Sequence, residues 1–288
     1  WKGNLAVFLT RGKGYYEQYK AGRYLADYGL PDYFDGMTTI TSTDLVRRLW
    51  LDNYFYGSIF SLQYQQKKTQ LVLGGGYNAY DGQHYGEIKW AAVQAAVPAN
   101  YRWYDLTAYK KDLSLYGKWT QQLNKNWQSF VDIQVRNIDY RIHGFRDNPA
   151  LEINKNFTFL NPKAGITYSD KKWQAYISYA LAGKEPNRDD FEAGNTQQPN
   201  AERLHDVELG VERKMGKTSW GANLYYMYYH NQLVLTGKIN DVGAYTRTNI
   251  PKSHRAGIEL QGKAILASWM NLAANISFSE NKIRGYTE

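Results

Sequence analysis

The sequence predicts an all-β protein, an antiparallel transmembrane β-barrel of which this chain supplies an arc of about eleven strands. Three observations lead to this prediction. Apolar and polar residues alternate with period two along most of the chain, whereas helical periodicity is nearly absent. Aromatic residues make up 16% of the 288 residues, yet the mean hydropathy is negative. The connections between the alternating segments are short and long in turn.

The composition fits a barrel wall better than a soluble core. The chain contains 26 Tyr and 9 Trp, whereas a soluble core takes its apolar mass mainly from Leu, Ile and Val. In a membrane barrel only every second residue is apolar, and Tyr and Trp concentrate at the two lipid–water boundaries. A negative mean hydropathy is therefore compatible with a membrane protein.

The alternation predicts eleven strands in order along the chain. In the clearest strand, Trp173, Ile177 and Leu181 share one face, while Gln174 and Ser178 lie on the other. One face suits hydrocarbon and the other suits water. The predicted strands cover residues 3–10, 44–66, 71–80, 106–122, 127–142, 157–168, 172–183, 204–213, 218–235, 245–262 and 269–282. The strand over 44–66 is longer than lipid requires, so we expect it to extend above the membrane.

The connections provide a second regularity that is independent of the alternation. Short turns are predicted near Lys67–Gln70, Leu123–Asn126, Ser169–Lys171, Lys214–Lys217 and Ala267–Ser268. Longer polar loops are predicted near Arg11–Thr43, Asp81–Asp105, His143–Asn156 and Lys184–Arg203, with a smaller one around Gly237–Ala244. Outer-membrane barrels sort their connections in this way, with tight periplasmic turns and long extracellular loops.

An odd number of strands indicates part of a larger barrel. An odd antiparallel sheet cannot close on itself in antiparallel register, and bacterial single-chain barrels have even strand numbers. No signal peptide is visible in Trp1–Thr10. We therefore expect residues 1–288 to be a partial outer-membrane barrel domain.

Composition also excludes several classes of protein. No run approaches the roughly 18–20 apolar residues of a membrane helix. The chain has no Cys, so it has no disulfide framework, thiolate metal site or Cys nucleophile. The formal charge is +8, but the Lys and Arg residues are scattered among acids and form no basic stripe, so we expect no nucleic-acid partner.

Several segments resemble TonB-dependent receptor barrels, particularly those of Bacteroidetes-like bacteria. The segments from Arg11 to Tyr19, Leu51 to Gly57 and Gly74 to Gly82 are similar to family motifs at strand ends. The most diagnostic run starts at Tyr179 and continues through Glu185-Pro186-Asn187-Arg188-Asp189-Asp190, Pro199-Asn200-Ala201-Glu202 and Glu208-Leu209-Gly210. It departs from the family pattern in two places: the first motif lacks an aromatic residue, and the second is degenerate.

The resemblance implies a barrel of about 22 strands closed by an N-terminal plug. It also implies a location in the bacterial outer membrane with lipid around the barrel. The periplasmic partner TonB would act through the plug and an N-terminal box, neither of which we find in this sequence. The implied activity is the uptake of a ferric siderophore or a comparable scarce nutrient such as cobalamin, with no enzymatic chemistry.

Ligand binding is expected on the inner wall near the long loops, where the resemblance places nutrient capture. Aromatic and basic residues there suit an anionic or aromatic chelate through stacking and charge-assisted hydrogen bonds. The candidate ligand-binding residues are Tyr80, His84, Trp103, Tyr104, Arg146 and Arg188.

No catalytic residue, metal ligand or resident cofactor is predicted. The five His residues show no metal-binding spacing. The loop from Lys184 to Pro199 has no His of the kind that haem receptors carry, and His205 is interpreted as a strand-end residue. Acids such as Glu208 are interpreted as ordinary residues of a polar barrel lumen.

Three alternatives stay open at this point. A complete porin of about 12 strands requires one more strand than we count. An envelope lipase or protease barrel requires a hydrolytic trio on the lumen face. A soluble β-sandwich predicts a chain that stays in solution without detergent.

Overall fold

One antiparallel sheet of eleven strands forms most of the structure. The computed structural model describes residues 1–146, 148–193, 198–239 and 245–284. The first six strands of the sheet are β1 (Lys2–Tyr24), β4 (Ser42–Gln66), β5 (Thr69–Ala91), β6 (Arg102–Gln122), β7 (Trp127–Phe145) and β8 (Asn148–Ser169). The other five are β9 (Trp173–Lys184), β10 (Glu202–Met215), β11 (Thr218–Ile239), β12 (Tyr245–Ala267) and β13 (Met270–Arg284). Each strand pairs with its neighbours in chain order, so the predicted fold class and strand count are confirmed.

Smaller elements lie in the loops at one end of the sheet. The first loop contains a 3-10 turn (Leu25–Tyr28) and a hairpin of β2 (Tyr33–Phe34) and β3 (Thr39–Ile40). A second 3-10 turn (Gln94–Ala96) follows β5, and the helix α1 (Arg188–Ala193) follows β9. Among the described residues, no helix is long and apolar enough to cross a membrane.

Several strands continue further than the sequence predicts. β1 extends to Tyr24 and β5 to Ala91, so the predicted loops over 11–43 and 81–105 begin too early. The predicted loop over 143–156 is wrong, because β7 continues to Phe145 and β8 begins at Asn148. Beyond the lipid both faces of a strand meet water or protein, so the backbone pairing continues while the apolar alternation that marks a strand disappears.

The predicted short turns are confirmed, but the connections at the opposite end are not all long, because β8 begins three residues after β7 ends. Short turns separate β4 from β5, β6 from β7, β8 from β9, β10 from β11 and β12 from β13. The connections at the opposite end include the loop before β4 and the loop between β9 and β10. The predicted loop around Gly237–Ala244 begins inside β11, and its positions 240–244 lie outside the described residues.

The outward face of the sheet is an apolar band bordered by aromatic residues. Leu5, Val7 and Leu9 on β1 are each more than 70% exposed, as expected of side chains that contact lipid. At the short-turn end, Trp127 lies 5.1 Å from Tyr168 between ring centroids. Further ring contacts at this end join Trp1 to Tyr64 and Trp173 to Trp220. This row of rings forms the girdle expected at a lipid–water boundary.

Buried apolar residues gather at the long-loop end instead of along the whole sheet. One cluster joins Leu25 and Tyr28 of the first loop to Leu45 and Ile88 of the wall. A second cluster surrounds Phe191 of α1, which is fully buried. Its wall residues are Ile138, Tyr140, Ile142, Phe145, Ile153 and Phe159. The loops are therefore packed against the wall by hydrophobic burial.

The sheet has two free edges within the described residues. β1 pairs only with β4, and β13 pairs only with β12. A closed porin of about 12 strands, which the sequence also allowed, would require further pairing between these edges.

We expect an outward-facing charge to destabilise the barrel far more than an inward-facing one. Ile177 is 48% exposed on the apolar band, so Ile177→Arg should cost about 2–4 kcal/mol of unfolding free energy. Ser178→Arg is the matched control, because its side chain faces the polar side beside Glu208. Urea titration of folding in phospholipid vesicles measures both variants. Equal losses would show that the two faces have been assigned wrongly.

Candidate functional site

Five of the six sequence-predicted ligand residues converge on two adjoining cavities at the long-loop end. A cavity of about 240 Å³ is lined by His84, Tyr104, Arg146 and Arg188 together with Leu49, Leu51 and Glu192. A second cavity of about 230 Å³ is lined by Tyr80, His84 and Arg188 together with Lys110 and Tyr140. His84 and Arg188 belong to both cavities and therefore mark the centre of the site.

β5 positions Tyr80 and His84 on one face because they are four residues apart in an extended strand. The Tyr80 hydroxyl is 3.1 Å from Nε2 of His84. His84 lies fifteen residues beyond Thr69 at the short turn, or about 35–40 Å along the barrel axis for a strand tilted as in known barrels. This height places the pair above the lipid band.

The surroundings of the His84 imidazole favour its neutral form. Burial lowers the pKa of His84, and the positive charge of Arg188 lowers this pKa further. Because the pKa is depressed in the folded state, the wall loses stability as the pH falls below the ordinary His value. A neutral imidazole offers one donor and one acceptor to a bound molecule.

The short helix α1 brings Arg188 to the cavities. At its start, the Asn187 backbone N–H donates to Asp190 Oδ2 at 2.8 Å, and the Asp190 N–H donates to Asn187 Oδ1 at 2.9 Å. This reciprocal pair caps the helix. The buried Asp190 also accepts a hydrogen bond from Arg247 of β12 at 3.0 Å. Together with the burial of Phe191, these contacts fix α1 against the inner wall.

The guanidinium of Arg188 stacks on the ring of Phe145 and has an N–H group without an acceptor among the described residues. Its Cζ lies 4.7 Å from the ring centroid of Phe145. Its buried Nε has no hydrogen-bond partner among the described residues. A buried donor without a partner costs free energy, and an anionic group in the cavity would satisfy it.

A charged network ties the segment before α1 to the wall. Glu185 is only 8% exposed and accepts from Arg136 Nη1 and from Lys110 Nζ, each at 3.0 Å. Arg136 also donates to Asp112 at 2.6 Å. The charges of two cations and two acids therefore balance on the inner face. The sequence did not reveal this network, because its members are up to 75 residues apart in the chain.

Trp103 is the sequence-predicted residue that the structure places elsewhere. Its ring contacts Tyr28 of the first loop edge-on at 5.2 Å between centroids and packs against the first hydrophobic cluster. It contacts Tyr104 at 5.1 Å without lining either cavity. Ligand contact by any of the six residues stays a prediction.

The sequence did not identify Tyr140 or Lys110 as residues of the site. Lys110 Nζ lies 4.6 Å from the centroid of the Tyr140 ring. Tyr140 shares the polar face of β7 with Arg136 at a spacing of four residues. This spacing predicts a residue of the site only if β7 is known to extend as far as the second cavity.

The arrangement is suited to binding anions. Guanidinium, imidazole, ammonium and phenol groups converge on the cavities, and such donors form strong hydrogen bonds with charged acceptors. Among the described residues, no group of three or more His, Cys, Asp or Glu could hold a metal ion. A larger depression of about 430 Å³ lies on the inner wall between β9 and β13, with a polar lining that contains none of the predicted residues.

Comparison with known proteins identifies one family for this chain. The family model described as TonB dependent receptor-like, beta-barrel matches residues 1–287. No curated protein matches the chain.

Solved structures share the fold at low sequence identity. The copper transporter OprC is 12% identical with a TM-score of 0.74, covering 98% of this chain and 44% of that one. The alcaligin outer membrane receptor FauA from Bordetella pertussis is 15% identical with a TM-score of 0.54, covering 84% and 42%. The ferric-catecholate import receptor Fiu from E. coli K12 is 12% identical with a TM-score of 0.55, covering 99% and 46%. The chain thus spans less than half the length of each structure.

We expect Glu185→Gln to loosen the segment that carries Arg188. The substitution leaves Arg136 and Lys110 facing each other with less compensation, and it should cost about 1–2 kcal/mol because both cations keep some solvent contact. Hydrogen exchange at the backbone amides of residues 187–192 should accelerate about tenfold. Glu152→Gln is the control, because the Glu152 side chain is 76% exposed. Unchanged exchange in the Glu185 variant would contradict an anchoring role.

Proposed function

The chain belongs to the TonB-dependent receptor β-barrel family, and from this premise we propose that it forms wall and outer vestibule of a receptor for active uptake of a scarce nutrient. The family and its structural neighbours are bacterial outer-membrane proteins that act as receptors or transporters. The proposed nutrient is a ferric siderophore or a comparable chelate. The chain itself carries out no bond chemistry in this proposal.

The convergence of His84, Arg188 and their neighbours on the two cavities is the observation that supports this proposal best. Ferric chelates with several acidic oxygens are commonly anionic, and aromatic rings around a cationic centre suit such ligands. The cavities open at the long-loop end, which faces the cell exterior in barrels of this kind. Neighbours named for alcaligin and for ferric catecholate are consistent with this class of ligand.

The remaining parts of the receptor are included in the proposal. Further strands would complete a barrel of about 22 strands around a plug. The polar depression near Tyr176, Asn223 and Glu259 would face that plug. Energy would come from TonB through the plug, and lipid would surround the outward face.

Uptake that depends on cellular energy tests the proposed function. In a strain that lacks the gene, uptake of at least one radiolabelled ferric chelate should fall to background and return on complementation. The panel contains catecholate, hydroxamate and citrate chelates, with cobalamin and copper as further substrates. Loss of TonB or addition of a protonophore should abolish the restored uptake. Restored uptake that survives both treatments would identify a passive channel instead.

Arg188→Gln tests the site within this function. Loss of a charge-assisted hydrogen bond to the chelate should weaken binding about tenfold or more. Arg141→Gln is the matched control, because Arg141 lies on the outward face with a 57% exposed side chain. Titration of the purified receptor with the transported chelate, followed by tryptophan fluorescence, gives both affinities. Equal affinities for wild type and Arg188→Gln would place the ligand away from these cavities.

A further inference from the structure

Two rows of basic and aromatic residues cross four adjacent strands at the long-loop end. In the upper row, β10, β11, β12 and β13 contribute in order Arg203, His230, Lys252 and Arg284. In the lower row the same strands contribute His205, Tyr228, His254 and Lys282. These eight residues are directly paired across the ladder, and we call them the outer cationic patch. Neither row contains an acid.

The patch faces outward, on the side opposite the candidate nutrient site. His205 alternates with Asp206 and shares its face with Val207 and Leu209, which are 41% and 48% exposed. On β11, His230 shares its face with Tyr226, which is 47% exposed. Side chains at paired positions lie on one face of a sheet, so the assignment extends to β12 and β13.

The height of the patch coincides with the upper boundary of the lipid. His230 lies ten residues above Trp220 of the short-turn girdle, on the same strand and face. Ten residues span about 33 Å of strand, or about 25 Å along the axis at the tilt of known barrels. The apolar band of such barrels is also about 25 Å tall. The upper row therefore lies where lipid headgroups begin, and the lower row lies about 5 Å below it, at the top of the apolar band.

Three of the four Lys and Arg residues of the patch lack an acidic partner among the described residues. Lys252 and Arg284 are directly opposite each other, and like charges at opposed positions destabilise a sheet. The nearest outward acid on these strands is Glu280, which forms a salt bridge with Lys282. Among the described residues, Arg203, Lys252 and Arg284 form no ion pair. The patch therefore carries an excess of positive charge that an anion would relieve.

Another outward surface of the same sheet shows that the excess is particular to this patch. On β1, β4 and β6, basic residues of the outward face lie beside acids. Arg11 pairs with Asp52, Arg48 with Glu17 at 2.7 Å, and Arg102 with Asp105 at 2.8 Å. Lys111 of β6 forms no salt bridge among the described residues, but it is directly opposite Asp139 of β7. These outward cations on β1, β4 and β6 therefore have acids beside them. Among the described residues, Arg203, Lys252 and Arg284 of the outer cationic patch have none.

Aromatic contacts hold the lower row in place. The Tyr179 hydroxyl is 2.9 Å from Nδ1 of His205. His230 contacts His205 at 5.7 Å and Tyr228 at 4.8 Å between ring centroids. The sequence interpretation treated these His residues as unrelated because they are far apart in the chain, but the β10–β11 hairpin and β12 bring them together.

We propose that the outer cationic patch binds the phosphate groups of an anionic lipid in the outer leaflet. Acyl chains of that lipid would lie on the apolar band directly below, along Leu209, Leu224 and Leu260, and its headgroup would reach the two basic rows. A lipid fits better than an acidic protein, because the occupant must contact charge above and hydrocarbon below. The proposal depends on the outer-membrane location and is independent of the nutrient.

A lipid-binding titration with matched charge variants tests this proposal. The test variant of the full receptor carries Arg203→Gln, Lys252→Gln, Lys282→Gln and Arg284→Gln. The control variant carries Lys68→Gln, Lys125→Gln, Lys171→Gln and Lys217→Gln, which removes the same charge at the short turns. Native mass spectrometry in a nonionic detergent measures binding of phosphorylated lipid A and of its dephosphorylated form. Circular dichroism verifies equal strand content in the three proteins.

We expect wild type and control to prefer the phosphorylated lipid about tenfold or more, and the test variant to lose this preference. Millimolar inorganic phosphate should not displace the lipid, because the acyl chains contribute to binding. The proposal is overturned if wild type binds both lipids alike or if the test variant keeps the preference. It is also overturned if the control loses as much as the test variant, or if free phosphate or a polyglutamate peptide competes fully.

Discussion

Backbone hydrogen bonding inside hydrocarbon is the constraint on which the rest of this structure depends. An N–H or C=O group exposed to lipid costs several kcal/mol, so a chain without apolar helices can cross only as a continuous ladder of strands. The antiparallel pairing from β1 to β13 satisfies this requirement at every internal strand. The two edge strands keep a row of groups that further strands would pair in the proposed larger barrel. Because the backbone groups are already paired, the side chains on each face do not have to supply their hydrogen bonds.

The ladder also explains why the candidate site is located above the lipid. Within the band, the outward face must be apolar, and the inner face carries polar side chains such as Asn223 and Glu259. Above it, both faces can hold charge, and the strands continue as a scaffold for loops. The segment from Glu185 to Phe191 uses this scaffold: an ion-pair network fixes its start and a buried ring fixes its end. Arg188 lies between these two anchors.

The sequence was sufficient for the parts of the fold that contact lipid and insufficient for the parts that do not. The strand predicted over 172–183 lies within one residue of its observed bounds, Trp173–Lys184, because hydrocarbon on one face requires apolar residues at alternate positions. The end of β7 at Phe145 could not be predicted, since both of its faces are covered by protein or water. Tyr80 and His84, which stay predicted ligand residues, follow from residue type and strand position, whereas the contacts of Glu185 and Tyr140 depend on which distant strands become neighbours. Trp103 was predicted from residue type alone, and its ring packs into the loop cluster.

The period of two also lets the same strands take part in two separate interactions. β12 contributes Arg247 to the anchoring of α1 on the inner side, and it contributes Lys252 and His254 to the outward patch. Because successive side chains point to opposite faces, a change in one set does not have to disturb the other. The stiffness of the paired backbone keeps both sets at fixed heights relative to the lipid boundary. An inner surface for a solute and an outer surface for a lipid can therefore coexist on one β-strand without sharing a side chain.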